Sequence, residues 1–347
     1  MNKTKLIIIT ASIALLGAAC TPFSVSNSSN SDGGVLASVN NGETWEQRIN
    51  IYFDRSSKKT IANLDVKEII FSPKDSRKIF LIAEKNGLWI SWNSGYNWDS
   101  IFSNSSVNDI AIDFKNPRRM YVAVGNSIAV SEDEGVHWKS TYITNHPSSF
   151  ITSIVLDPNN LNILYAATSN SNILISENSG ISWHIYTELP SGIILENMQF
   201  NSNELDANKK QTTIYAIAKG KGLIKSKDTG KTWEIFNIAG EPRDFELIPS
   251  GIVYASTSGL FRSLNFGNDW TSLPLISGKN DSNIYSIAIN PNNPLKIFYG
   301  TRSTLYYSVD GGFNWIPRVL QTSLVPTELI IHPDDPDTLF MGLSVLK

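Results

Sequence analysis

An all-β fold of seven repeated four-stranded sheets is what this 347-residue sequence predicts, and three observations carry that expectation. One eight-residue pattern with Ser, Gly and Trp fixed recurs seven times. Runs of alternating β-branched and aromatic residues precede the copies. The copies start 53, 40, 45, 50, 37 and 45 residues apart. Strand-type patterning repeated at about 40–50 residues is the signature of propeller blades. The predicted fold class is therefore all-β: a single seven-bladed β-propeller of four-stranded antiparallel blades.

The composition agrees and removes other classes. Hydrophobic residues make up 41% and charged residues 18% of the chain, enough to bury a large core and too apolar for disorder. The formal charge is −3, so there is no basic field of the kind that holds nucleic acid by counterion release. A single cysteine makes no internal disulfide and no cysteine-based zinc cage.

The first twenty residues read as an address. Lys3 and Lys5 precede an apolar run over residues 6–16, closed by Gly17, Ala18 and Ala19 before Cys20. Basic, apolar and small segments in that order form a secretory signal, and the apolar part is short for a spanning helix. The arrangement resembles the lipobox of bacterial lipoproteins, in which the cysteine is acylated and becomes the mature N-terminus. That family usually has Leu three places before the cysteine; here that place is Gly17, with Leu16 one earlier. The expected organisation is a signal peptide over residues 1–19 and a lipidated Cys20 opening a tether to residue 34. The propeller then fills residues 35–347. The tether is rich in Ser, Asn and Gly, with little to bury. Loss of Lys3 and Lys5 leaves 27 basic against 32 acidic residues, a mildly acidic mature domain.

The seven copies read SVNNGETW, SWNSGYNW, SEDEGVHW, SENSGISW, SKDTGKTW, SLNFGNDW and SVDGGFNW. Their serines are Ser38, Ser91, Ser131, Ser176, Ser226, Ser263 and Ser308. Two places on stand Asn40, Asn93, Asp133, Asn178, Asp228, Asn265 and Asp310, whose side chains can accept backbone N–H groups across a turn. Then come Gly42, Gly95, Gly135, Gly180, Gly230, Gly267 and Gly312, which tolerate positive φ. Trp45, Trp98, Trp138, Trp183, Trp233, Trp270 and Trp315 open the returning strand. Each ring is expected to wedge between neighbouring sheets, worth at most very roughly 5 kcal/mol gross. These residues are structural in this reading.

Before the turns lie paired apolar segments such as VNDIAIDFKNPRRMYVAV and ITSIVLDPNNLNILYAAT, joined by Pro/Asn/Asp turns. A repeat is thus strand a, turn, strand b, loop, strand c, the Ser-Asx-Gly-Trp turn and strand d. The first hairpin after the tether supplies only strands c and d, and the last segment only a and b. The two halves are expected to pair, closing the ring and removing its edges.

The turns are similar to the Asp-box, or BNR repeat, SxDxGxTW, and the resemblance covers nearly all of residues 35–347. Asp-box propellers include sialidases, two-propeller xyloglucan hydrolases, sortilin-type receptors and the photosystem II stability/assembly factor family. A fold so widely shared does not set function. A single propeller behind an export signal looks most like the last group, which implies a binding scaffold without a catalytic centre. The Phe/Tyr-Arg-Ile-Pro motif of sialidases is not present; the nearest fragments, at residues 316–318 and 241–243, have the wrong order. The glycoside hydrolase alternative calls for two carboxyls about 5–9.5 Å apart, or an Arg cluster, in the channel mouth.

In propellers the d-to-a and b-to-c connections share one face, around the central channel, and the Trp turns occupy the other. Basic residues recur on the expected loop face, and Arg48, Arg55, Lys85, Lys219, Lys221, Arg243, Arg302 and Arg318 are the candidate ligand-binding residues. Such a ring would attract an acidic peptide, glycan or protein tail. The connection over residues 46–65 is long enough for a lid or docking loop. No histidine spacing suggests a metal, and no Gly-rich loop suggests a phosphate. The overall expectation is a monomeric, lipid-anchored protein outside the cytoplasm that binds an envelope protein or polysaccharide, with no cofactor, metal or nucleic acid. The alternatives are a glycoside hydrolase and an assembly factor for a membrane complex.

Overall fold

The computed structural model describes residues 32–52, 59–103, 105–146, 148–201, 213–276 and 283–345. Cys20 and Arg55 lie outside them. Among the described residues there is no helix, and hence none long and apolar enough to cross a membrane. Seven antiparallel sheets succeed one another along the chain. Their innermost strands, strand a of blades 1 to 7, are Val66–Ser72, Val107–Ile112, Ile151–Leu156, Leu195–Asn201, Pro242–Ile248, Ser286–Ile289 and Val325–Ile331.

The ring closes as the strand count requires. In blade 7, Gly34–Ser38 lies between Glu46–Gln47 and Leu339–Ser344, with Val325–Ile331 innermost. Val35 pairs with Gly342 and Ala37 with Phe340. The middle strands of the blades are sandwiched on both faces, so Gly34–Ser38, Leu164–Thr168 and Gly251–Ser256 are buried throughout. This is why their sequences run apolar instead of alternating. Outer strands such as Lys139–Ile143 and His184–Glu188 have one side in water.

The seven Trp turns share one hydrogen-bond pattern. Each serine Oγ accepts the N–H of its glycine at 2.7–2.9 Å. The same hydroxyl donates to the Asn or Asp two places on at 2.8–3.1 Å. That Asx oxygen accepts the backbone N–H four residues later at 2.8–3.0 Å. The residue before each glycine is left-handed too, φ 56–63° for the six that carry a side chain. That conformation aims its N–H at the a-to-b turn of its own blade in several copies, as from Ser94 to Arg77 O at 2.7 Å. Four indoles donate to the strand d region of the preceding blade: Trp98 to Arg48 O, Trp138 to Ile101 O, Trp183 to Thr141 Oγ1 and Trp315 to Pro274 O. The wedge between sheets is therefore held at its polar end as well as packed.

Blade 1 departs from the four-strand pattern. Asn50–Ile51, from the long connection into it, pairs in parallel with Asn97–Phe102 as a fifth strand. Ile49, Ile61 and Ala62 are buried beside it. The described part of the connection is thus pinned to the ring by apolar burial and strand pairing.

The b-to-c turns bond to the d-to-a connections, as in Glu84 N–H to Asp65 O, Ser169 N–H to Phe150 O and Lys219 N–H to Ile194 O. These segments form one face, the loop face. Both ends of the described chain emerge there. Asp32 accepts the N–H of Ser323 at 2.9 Å, and Val345 donates to Asp65 Oδ1 at 2.9 Å.

Candidate functional site

The inner strands enclose a channel of about 680 Å³, open at the loop face. Two consecutive residues near the start of each strand a decide its chemistry. The first of the pair is Lys67, Asn108, Thr152, Glu196, Arg243, Tyr285 or Thr327; the second is Glu68, Asp109, Ser153, Asn197, Asp244, Ser286 or Glu328. In six blades the strand shifts register within one or two residues of this pair. A bulge there turns successive side chains inward at the mouth.

Much of this double ring is spent on joining blades. Lys67 donates to Asn108 O. Asn108 donates to Ile151 O at 2.7 Å, Thr152 to Leu195 O at 2.6 Å, Ser286 to Pro326 O at 2.7 Å and Thr327 to Val66 O at 2.7 Å. In the second ring Asp109 accepts from Ile154 N–H at 2.8 Å, Ser153 from Met198 N–H at 3.0 Å and Asp244 from Ile287 N–H at 3.1 Å. Glu328 accepts from Ile69 N–H. Each bond satisfies a backbone group of an inner strand or its start with a side chain from the adjacent blade.

Besides Glu196 at the mouth, five carboxyls line the channel: Glu68, Asp109, Asp244, Glu246 and Glu328. Burial pushes Glu68 and Glu246 up to about 8 and Asp244 to about 7. The same cause raises Asp109, and it raises Glu328 well above its ordinary value, with Asp244, Glu68 and Glu246 adding repulsion. Removal from bulk water disfavours each charge, and like neighbours add to the effect. These groups escape a search for basic residues and loops. The signal for them was nevertheless present, because KEI, NDI, RDF and TEL stand at the same register of four inner strands.

The candidate basic residues divide by place. Arg243 stands exposed at the mouth, on blade 5. Lys219 and Lys221 project from the b-to-c turn of blade 4, Arg302 from that of blade 6 and Lys85 from that of blade 1. Lys219 pairs with Glu196 at 3.3 Å. Lys219, Lys221, Arg243 and Arg302 thus lie on the loop face of three consecutive blades. Two others sit in joints between blades. Arg48 is buried, lies 3.3 Å above the Tyr96 ring and pairs with Glu46 at 2.9 Å. Arg318 donates to Asn40 O at 3.2 Å and to Glu43 at 3.1 Å, beside a Trp turn. Among the described residues no cluster of three His, Cys, Asp or Glu has the geometry to hold a metal ion.

Fold and channel define the class as a seven-bladed β-propeller with a polar, carboxyl-lined bore. No family model matches the chain. It is 24% identical over 332 residues to xyloglucanase Xgh74A of Acetivibrio thermocellus, an alignment covering 78% of this chain and 39% of that protein. The chain therefore spans about two fifths of that relative's length. Vacuolar protein sorting/targeting protein 10 of Schizosaccharomyces japonicus matches in part, 26% over 119 residues, or 34% of this chain and 8% of that one. Among solved structures, the GH74 enzyme of Niastella koreensis superposes with a TM-score of 0.63 at 16% identity, covering 81% of this chain and 51% of that one. YCF48 bound to D1 peptide superposes with a TM-score of 0.62 at 14% identity, covering 81% and 94%. The propeller fold is shared with both solved structures.

Proposed function

We propose that this chain is a non-catalytic binding protein of the cell envelope, held to a membrane by a lipid on Cys20, that captures a protein partner on the loop face. One observation carries the reading: three of the channel carboxyls are committed to architecture. Asp109, Asp244 and Glu328 each accept a backbone N–H from the next blade. Two others, Glu68 and Glu246, are both pushed to about 8. Glycosidase chemistry needs two carboxyls free to act across the bond to be cut, and Asp109, Asp244 and Glu328 are already engaged by backbone N–H groups. A similar propeller, YCF48, is described with a bound peptide, which supports a peptide-binding role here.

A second reading, glycoside hydrolysis, is favoured by six carboxyls lining one cavity and by the similarity to xyloglucanases. The experiment that separates the two is incubation of the full chain with xyloglucan, beside affinity capture from detergent-solubilised membranes. The expected result is no new reducing ends and recovery of a membrane protein. Xyloglucan cleavage that Glu246→Gln abolishes would overturn the binding reading.

A further inference from the structure

The sevenfold repeat supplies its own internal control. At the first position of the mouth ring, blades 1, 2, 3 and 7 carry Lys67, Asn108, Thr152 and Thr327, and each donates to a carbonyl of the next blade. Blades 4, 5 and 6 carry Glu196, Arg243 and Tyr285 instead. Glu196 turns to Lys219 of its own blade. Among the described residues the Arg243 guanidinium and the Tyr285 hydroxyl have no hydrogen-bond or ion-pair partner. The ring is thus tied by this position over four blades and released over three that are adjacent.

We infer that Arg243 and Tyr285 form a carboxylate subsite at the channel mouth, where an acidic peptide segment of the partner docks. This rests on the binding reading above and names the partner's chemistry. Arg243 and Tyr285 line the same channel on adjacent blades; the guanidinium can only donate, the phenolic O–H can donate to the same anion, and the guanidinium fork matches a carboxylate in two parallel bonds. Lys221 and Arg302 lie on the flanking blades of the same face; Glu241, exposed on the connection into blade 5, and Glu196, paired with Lys219, are the acidic residues there. The carboxyls next to Arg243 along its own strand, Asp244 and Glu246, bind protons near neutrality. In their protonated forms they leave the charge of Arg243 uncancelled. A neutral glucan brings no anion to this face, whereas an acidic peptide does.

The test is isothermal titration of the full chain in detergent with hexaglutamate, hexalysine and oligogalacturonate. Hexaglutamate is expected to bind, more weakly as salt rises, and hexalysine not to bind. Arg243→Gln should weaken hexaglutamate about tenfold or more, as loss of bonds to a charged group does. Tyr285→Phe should weaken it several-fold. Lys74→Gln, the same charge change on the opposite face, should leave it within about twofold. Arg243 is exposed, so its variant should keep the wild-type near-ultraviolet circular dichroism. No binding of hexaglutamate, equal losses in Arg243→Gln and Lys74→Gln, or tighter binding of oligogalacturonate would each overturn the subsite. Failure of the binding reading looks different, since xyloglucan cleavage would appear whatever hexaglutamate does. Unaltered membrane-protein capture by Arg243→Gln would sink the subsite alone.

Discussion

Ser91 illustrates how one residue holds a turn. Fully buried, it accepts the Gly95 N–H at 2.8 Å and donates to Asn93 at 3.1 Å, so its hydroxyl is satisfied in both roles. Ser91→Ala should cost about 1–3 kcal/mol, because the Gly95 amide is left without a partner in a buried site. Trp98 is likewise fully buried, with its indole N–H on Arg48 O at 2.8 Å. Trp98→Ala should cost about 3–5 kcal/mol. Urea denaturation of both variants checks the pair, and a tryptophan variant costing under about 1 kcal/mol would contradict the wedge. At this scale the sequence was largely readable. Fixed Ser, Asx, Gly and Trp named the turn before its geometry was seen. What it concealed was the second left-handed residue, because Asn41, Ser94, Glu134, Ser179, Thr229 and Phe266 share no side-chain chemistry. The N–H contact to the neighbouring turn is made by backbone, which any residue provides.

Inner strands set the pH response. Glu68, Asp244 and Glu246 have folded values near 7 to 8, against about 4 in the unfolded chain. A raised carboxyl contributes stability that is full below the unfolded value and is lost as pH rises through the folded one. Asp133 and Asp310, in exposed turns, are lowered to about 2 by hydrogen bonds from His137 and Asn314. Their contribution is present above the unfolded value and lost as pH falls towards 2. Stability should peak near pH 4–5 and decline towards pH 8 and beyond. Each kcal/mol lost should lower Tm by about 2–4 °C or less for a chain this size. Thermal melts from pH 4 to 9 check this, with Glu246→Gln expected to flatten the alkaline limb; a Tm that rises steadily to pH 8 would refute it. The inner strands were only half legible. Their apolar pattern placed them, but a charged residue inside a period-2 run reads as solvent-facing until the bore supplies its other environment.

Closure governs the molecule as a whole. Blade 7 takes two strands from each end of the chain, with pairs from Gly34–Leu343 to Ser38–Leu339. Strand counting revealed this from sequence alone, since the surplus hairpin and the missing one are complementary. Removing residues 339–347 deletes the strand between Gly34–Ser38 and Val325–Ile331 and exposes two edges. The shortened protein should lose its cooperative melt and associate, as circular dichroism and size-exclusion chromatography will register; a monomer with wild-type cooperativity would contradict the closure. The positions of Arg48 and Arg318 were not legible, because blade-to-blade joints depend on which side of an outer strand a long side chain takes.

Asp32 and Val345 both lie on the loop face. A fluorescent label attached at either of these residues therefore sits on the face that carries the aperture. Immobilisation through an engineered cysteine at Glu177, in a Trp turn on the far rim, presents the aperture outward and leaves it unobstructed.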